Sequence, residues 1–351
     1  MIRTLSKFLV PGVAALALAP AVAAEGRTPG SVLIFPIHRS MLGDTGGSYF
    51  TAVSVTNTNL SPITPVNGLG GSTNAHYEYV NVIPGAQNNM PLDCQVVNRI
   101  EFLTPADTRT VLTNCDNASG GQEGYLVVTA QDPNAFSTNW SHNYLIGSEL
   151  VVSGTGGVYG LNALAFDAIA DAGMDTDADG DGQLDFDGVE YEGIADELYL
   201  DAFFAVDGSS LTLINMTGGF QHVANVRFDI WNDNEQALSA TLAFKCWIEE
   251  PLNEISLVFD GGFLAQNTLN DPTEFDTNCD NVGDIETGWA RLRGSNASSA
   301  VESIANPAIL GALTAGPANG GSIDGGHLLW ESKAKQTNGD FFKTGTDDPE
   351  N

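Results

Sequence analysis

The chain has 351 residues and is strongly acidic, with 44 Asp and Glu against 13 Lys and Arg and a formal net charge of −31. This charge repels phosphate backbones, so the composition argues against nucleic-acid binding and favours cationic partners, divalent ions above all. Hydrophobic residues make up 42% of the chain, which is enough to bury the cores of roughly two or three domains.

Residues 1–24 have the pattern of an export signal. Arg3 and Lys7 form a basic n-region, residues 8–19 form an apolar stretch, and small residues provide a cleavage site near Ala23 or Ala24. The apolar stretch is too short to span a bilayer, and no later segment is long and apolar enough to do so. We therefore expect a secreted or cell-surface protein without a transmembrane segment.

Short segments rich in β-branched and aromatic residues follow the signal, separated by turn signals such as Pro84-Gly85. Strands at this spacing, with few helical periodicities, indicate a mainly β fold of the sandwich or barrel type. The pattern predicts strands at residues 32–35, 49–56, 76–82, 97–103, 108–113, 125–130 and 144–152, and a helical turn or two at 135–141.

The pentapeptide T-N-C-D-N occurs twice, at residues 113–117 and 277–281, and the chain after each copy aligns without a gap. Gly124 matches Gly288 and Gly147 matches Gly311. Aromatic positions match as well: Tyr125 with Trp289, and Phe166 with Trp330. A repeat of this kind means one structural unit built twice. We expect the matched aromatic residues to lie in the cores of the two units.

The second unit repeats the strand pattern of the first. Strands are predicted at residues 211–216, 223–231, 238–248, 255–259 and 289–292, with a helical turn at 299–305. The sequence 232–234 (N-D-N) resembles 57–59 (N-T-N), which follows a strand in the first unit. The predicted organisation is a signal at 1–24, a first sandwich at 25–167, an acidic linker at 168–208, a second sandwich at 209–331 and a disordered tail at 332–351.

Two sequence runs carry a resemblance to a known class of domain. Residues 55–59 (V-T-N-T-N) and 102–111 (F-L-T-P-A-D-T-R-T-V) resemble strand ends in immunoglobulin-like modules of secreted bacterial proteins. The resemblance implies two tandem sandwiches with Ig-like connectivity.

Four cysteines suit an oxidising compartment. Two lie in each unit, so one disulfide per unit, Cys94–Cys115 and Cys246–Cys279, is the simplest of the three possible pairings. Metal ligation by the thiols is the alternative, although no C-x-x-C spacing supports it.

The linker contains the sequence D-A-D-G-D-G-Q-L-D at residues 177–185. Calcium loops take oxygen ligands from alternate positions and place a glycine at the sixth position for a sharp turn. In this register the ligands are Asp177, Asp179, Asp181, the carbonyl of Gln183, and Asp185. Gly182 takes the sixth position, and an apolar residue, Leu184, takes the position that joins a short sheet.

The run resembles EF-hand-type loops and the aspartate-rich calcium repeats of thrombospondin type 3 and dockerin modules. It departs from the EF-hand pattern because Gly188 stands at position 12, where those loops have a bidentate glutamate. Asp187 or Glu190 would then replace that ligand, and a register starting at Asp175 is the alternative. A solvated acidic connector without an ion is the simpler interpretation of the same residues.

No spacing typical of a catalytic constellation occurs: the five histidines show neither an H-E-x-x-H nor an H-x-H pattern. The sequence therefore predicts a secreted, non-catalytic structural or adhesion protein in which Ca²⁺ orders the linker between two sandwiches. Its partners would be calcium and an extracellular protein or glycan. Two alternatives are an extracellular glycan-binding module, which needs exposed aromatic residues, and a hydrolase with structural calcium, which needs convergent acids in a cleft.

Overall fold

The computed structural model describes residues 28–41, 49–119, 122–135, 137–152, 157–205, 209–268, 276, 279–280, 285–315 and 325–341. The predicted export signal lies outside these residues. The fold is mainly β with several antiparallel sheets, which confirms the predicted class. Within the described ranges, no helix combines the length and the hydrophobicity that crossing a membrane requires.

The described residues of the first unit form nine strands and one helical turn. All seven strands predicted for it are present, and β8 and β9 were not predicted. The elements are β1 (Val32–Met41), β2 (Tyr49–Asn57), β3 (Thr73–Ile83), β4 (Asp93–Leu103), β5 (Thr108–Leu112), α1 (Thr113–Asp116), β6 (Glu123–Gln131), β7 (Leu145–Val152), β8 (Val158–Asn162) and β9 (Leu164–Phe166).

A short linker strand, β10 (Leu184–Phe186), precedes the second unit and pairs with the last described strand, β21 (Gly339–Phe341). The elements of the second unit are β11 (Leu198–Phe204), β12 (Ser210–Asn215), β13 (Val223–Asn232), β14 (Ala237–Phe244), β15 (Trp247–Pro251), α2 (Leu252–Ile255), a 3₁₀ turn (Leu257–Phe259), α3 (Gly261–Asn267), β16 (Thr287–Ser298), β17 (Ser303–Ala305), β18 (Ile309–Ala315), β19 (Gly325–Leu328) and β20 (Trp330–Glu331).

The strand pairings show that the two units are built alike. One layer has the strand order β4-β3-β6-β1 in the first unit and β14-β13-β16-β11 in the second. In the first unit, pairing between the end of β1 and the start of β2 joins this layer to the other in one continuous sheet. The other joins β5, β2, β7 and β8 in the first unit and β15, β12, β18 and β19 in the second. Even a β-bulge recurs, since the register shifts between Phe35 and His38 in β1 and between Leu200 and Phe203 in β11. The structure thus repeats the unit that the sequence alignment indicated.

The repeated glycines keep neighbouring chain segments close. A Cβ on Gly124 would lie 2.0 Å from the carbonyl oxygen of Val80, and one on Gly288 would lie 2.4 Å from that of Trp231. These carbonyls belong to equivalent strands, β3 and β13. Real Cβ atoms do not approach so closely, so both positions require glycine.

An asparagine closes the second strand of each unit. Asn57 donates through Nδ2 to the carbonyls of Gly71 and Thr104, and Asn215 donates to those of Gly219 and His222. Each accepts the amide two residues further on at 3.1 Å, from Asn59 and Thr217. The structural equivalent of Asn57 is therefore Asn215, and the proposed match with residues 232–234 was wrong.

Several local predictions in the second unit were wrong. The strand predicted at 238–248 is interrupted before β15, where Cys246 has a positive φ of 59°. The strand predicted at 255–259 is a 3₁₀ turn, and the helical turn predicted at 299–305 ends in strand β17. The turn predicted at 135–141 is not helical in the part of it that the structure describes.

The domain boundaries also differ from the prediction. Strand β11 lies inside the predicted linker but pairs with β16, so the second unit begins near Leu198. Leu198 and Leu200 are buried while Tyr199 between them is partly exposed. The alternation of buried and partly exposed residues is typical of a strand, but the acidic residues on both sides made the segment resemble the rest of the acidic linker. Residues 332–341 of the predicted tail are ordered and end in β21, whereas residues 342–351 lie outside the described part of the chain.

The two units share a hydrophobic core. Val80 and Tyr125 of the first unit belong to the same buried cluster as Ile214, Trp247 and Leu310 of the second. The linker contributes to this cluster too, through four fully buried side chains: Leu184, Phe186, Tyr191 and Ile194. The linker is therefore anchored by apolar burial and is not the flexible connector that its Asp and Gly content suggested.

A disulfide crosses the boundary between the units. Cys94 in β4 bonds to Cys246, 152 residues further along the chain, while Cys115 and Cys279 are free and exposed. The predicted pairs Cys94–Cys115 and Cys246–Cys279 were wrong. The prediction assumed that each unit closes on itself, but docking of the units buries Cys94 and Cys246 together.

Replacing both bonded cysteines with serine should destabilise the protein strongly. The bond closes a loop of 152 residues, so the chain-entropy model gives a loss of about 4–5 kcal/mol in the free energy of unfolding. Urea unfolding of Cys94→Ser/Cys246→Ser would measure it, with the exposed Cys115→Ser as the control expected within about 0.5 kcal/mol of wild type. Peptide mapping that links Cys94 to Cys115 would contradict the assignment.

Candidate metal centre

The acidic run of the linker folds into a tight loop that the glycines make possible. Gly180, Gly182 and Gly188 have φ values of 88°, 79° and 87°, in the left-handed region that other residues avoid. Gly182 is the residue that the calcium-loop register placed at the sharp turn. Leu184 is the apolar residue that the same register predicted to join a short sheet. It is fully buried and is the first residue of strand β10.

Carboxylates converge at two places in this loop. Oxygens of Asp177, Asp179 and Glu190 lie within 4.8 Å of one another, and so do oxygens of Asp179, Asp181 and Asp185. Asp179 belongs to both groups and therefore joins them. Carboxylate oxygens are the ligands that hard divalent cations prefer, and the like charges of such a group repel one another when no cation is present.

Glu190 is the acid that the sequence left undecided. It stands two residues beyond the EF-hand's twelfth position, yet the chain turns back at Asp187–Gly188 and brings its carboxylate to Asp177 and Asp179. The turn is fixed because Asp187 Oδ1 accepts the amides of Val189 and Glu190, at 2.7 and 3.2 Å. Glu190 is 3% exposed and accepts amide hydrogen bonds from Ala178 and Asp185.

The remaining predicted ligands have other contacts. Neither Asp187 nor Asp175 belongs to the convergent groups. Asp187 shapes the turn, and Asp175 accepts the amide of Asp177 at 3.1 Å. The side chain of Gln183 is buried and donates to Asp181 Oδ2 at 2.7 Å. Asp177 accepts the amides of Gly180 and Gly182, which holds the loop curved around its own acids.

Burial and mutual repulsion perturb the acids of the loop. Burial raises the pKa of Glu190 to about 7; the amide of Ala178 opposes this shift and the charge of Asp185 adds to it. Burial likewise raises the pKa of Asp185 and of Asp340, which lie opposite each other in the β10–β21 pair, and the charge of Asp185 adds to the shift of Asp340. A bound cation would relieve this unfavourable concentration of negative charge.

Asp340 was missed by sequence reasoning. It lies in the segment predicted to be a disordered tail, and its register opposite Asp185 depends on pairing between two strands that are far apart in the sequence. The alternation Gly339-Asp340-Phe341 was too short to predict a strand.

No family model, curated protein or solved structure matches this chain.

The raised pKa of Glu190 predicts a pH dependence for the calcium-free protein. The folded state keeps the proton up to pH about 7, while the unfolded state loses it near the ordinary value of 4.5. Stability from this group is therefore present below about pH 4.5 and is lost as the pH rises to about 7. In chelator, Glu190→Gln should gain thermal stability relative to wild type at pH 8 but not at pH 5.

Melts of both proteins at the two pH values would test this. The exposed Glu254→Gln is the matched control and should shift little at either pH. An equal effect of Glu190→Gln at pH 5 and pH 8 would contradict the prediction.

Proposed function

We propose that this protein is an exported, non-catalytic calcium-binding protein with a structural or adhesive role. The observation that carries the proposal is the convergence of five acids, Asp177, Asp179, Asp181, Asp185 and Glu190, on one glycine-shaped loop. A hard cation with six to eight oxygen ligands suits such a group better than a softer metal, which prefers nitrogen or sulfur.

Two further observations support the extracytoplasmic part of the proposal. The protein contains a disulfide, and disulfides persist in oxidising compartments. The strongly acidic composition also suits a medium in which calcium is abundant. The affinity should be in the range of extracellular modules, on the order of 10⁻⁴–10⁻³ M, because these loops bind weakly when their ligand set departs from the EF-hand's.

Calcium should act by fixing the loop and the strands attached to it. The loop leads directly into β10, and β10 holds the C-terminal strand β21. Leu184 and Phe186 of β10 lie in the shared core. An ion that neutralises Asp179, Asp185 and Glu190 therefore stabilises the place where linker, tail and both units meet.

Calorimetric titration of the full chain with calcium, after chelation, should show binding that Asp179→Asn abolishes. Asp179 belongs to both acidic groups, so its loss removes a ligand from each. Wild type should also melt at a higher temperature in millimolar calcium than in chelator, and the variant should not. Asp171→Asn, an exposed acid of the same linker, is the matched control and should bind as wild type does.

If Asp179→Asn binds calcium with the same heat as wild type, the ion is bound outside the two acidic groups of the loop. The absence of any calcium heat in wild type would leave the loop as a solvated acidic connector.

Calcium should not change the overall dimensions of the protein. The sequence predicted that the ion orders a linker between two sandwiches, but here the shared core and the Cys94–Cys246 bond join the units directly. We expect the same radius of gyration by solution scattering with and without calcium. Expansion on chelation would show that the loop, and not the core, holds the units together.

A further inference from the structure

A groove of about 940 Å³ is lined by residues of both units. One wall is the outer face of the β5-β2-β7-β8 sheet, and the other is formed by β11, β19 and β20. A second cavity of about 550 Å³ shares Ser54, Ser148 and Asn162 with it, so the groove continues along the first sheet. We call these two cavities together the inter-repeat groove.

The wall from the first unit carries small polar side chains. Ser54 and Thr110 hydrogen-bond across strands at 2.8 Å, and Ser148 and Asn162 lie on the neighbouring strands. Ile146 and Leu150 are 42% and 46% exposed on the same face. The surface thus alternates hydroxyl and amide groups with apolar patches along at least about 13 Å of β7.

The opposite wall presents an aromatic ring in a fixed orientation. Trp330 is 60% exposed, and its Nε1 donates to Asp201 Oδ2 at 3.0 Å, which holds the indole by its edge. His327 Nε2 lies 3.2 Å from the other oxygen of Asp201, Oδ1. Tryptophan is enriched at interfaces, because its ring offers a large apolar face together with a polar N–H.

The charges of the groove favour a neutral ligand. Three carboxylates lie on its lining. Glu149 is only 2% exposed, Asp201 lies 3.2 Å from His327 Nε2, and Glu331 is paired with Lys335 at 2.9 Å. The described lining contains no Lys or Arg, and the chain as a whole is strongly acidic. An anionic polymer would be repelled, whereas a neutral sugar meets a stacking surface and groups that donate and accept hydrogen bonds.

We propose that the inter-repeat groove binds a neutral glycan, with a pyranose ring stacked on Trp330 and neighbouring sugar units lying along β7. The ring's C–H face packs on the indole, Asp201 and His327 receive its hydroxyls, and Ser54, Ser148 and Asn162 bond the next units. An extended polypeptide is the less favoured occupant, because these outer-face side chains offer hydroxyls where a peptide would seek free backbone edges.

The proposal is tested by calorimetric titration of the full chain with three neutral hexasaccharides, cellohexaose, laminarihexaose and mannohexaose, in saturating calcium. At least one should bind, and Trp330→Ala should weaken that binding by about tenfold or more. Trp289→Ala removes an exposed tryptophan outside the groove, 41% exposed and stacked on Trp231, and should change the affinity by less than about twofold.

A second variant narrows the groove without touching the aromatic wall. A Cβ on Gly160 would meet its nearest atom, the carbonyl oxygen of Glu149, at an ordinary 3.4 Å, so the backbone accepts a side chain at this position of the groove lining, and Gly160→Leu is the variant used. It should weaken glycan binding while leaving the melting temperature near that of wild type.

Absence of binding by all three hexasaccharides to wild type would overturn the proposal, as would an equal loss of affinity in Trp289→Ala. Binding of unfolded casein that depends on Trp330, without glycan binding, would assign the groove to polypeptide instead.

Discussion

The packing of one repeat against the other is the interaction on which the rest of the structure depends. A sandwich normally buries its core between its own two sheets, but here Val80 and Tyr125 pack outward against Ile214 and Leu310 of the second repeat. Trp247 extends this contact by donating to the carbonyl of Pro36 at 2.9 Å. Separation of the repeats would expose this apolar surface to water, so neither repeat is expected to be stable alone.

A buried ion pair gives the interface its orientation. Arg39 of β1 contacts Glu249 of β15 at 2.5 Å, and the two side chains are 13% and 14% exposed. Charges taken out of water are costly unless they are paired, so the pair penalises any docking that separates them. Apolar contact supplies the driving force for association, and the ion pair together with the Cys94–Cys246 bond selects one arrangement.

The sequence predicted the repeated unit better than the way in which the units meet. Gly124 and Gly288 were recognisable because a local backbone approach requires glycine in both copies. The disulfide was not, because Cys94 and Cys246 occupy non-equivalent positions and come together only through docking. The calcium loop shows the same division. Gly182 and Leu184 follow from local spacing, whereas the role of Asp340 depends on the distant β10–β21 pair.

The matched aromatic residues show that docking of the two repeats gives equivalent positions different degrees of burial. Tyr125 and Phe166 are buried as predicted, but Trp289 and Trp330 are exposed, so the core assignment was wrong for the second repeat. Tyr125 is covered by the second repeat, and Phe166 is covered by the linker, whose Phe186 ring lies 4.8 Å away.

When two like units stack head to tail, each keeps one outer sheet face that is not covered by the other. These two faces must be polar if no third unit is to add to the stack. The free sheet of the second repeat accordingly carries Asp229 and Arg291, paired at 2.7 Å, and that of the first carries the hydroxyls of Ser54 and Thr110. Growth by further stacking would bury these groups at a cost. The outer faces that the contact between the repeats does not bury are accessible to ligands, and Trp330 lies at such a face.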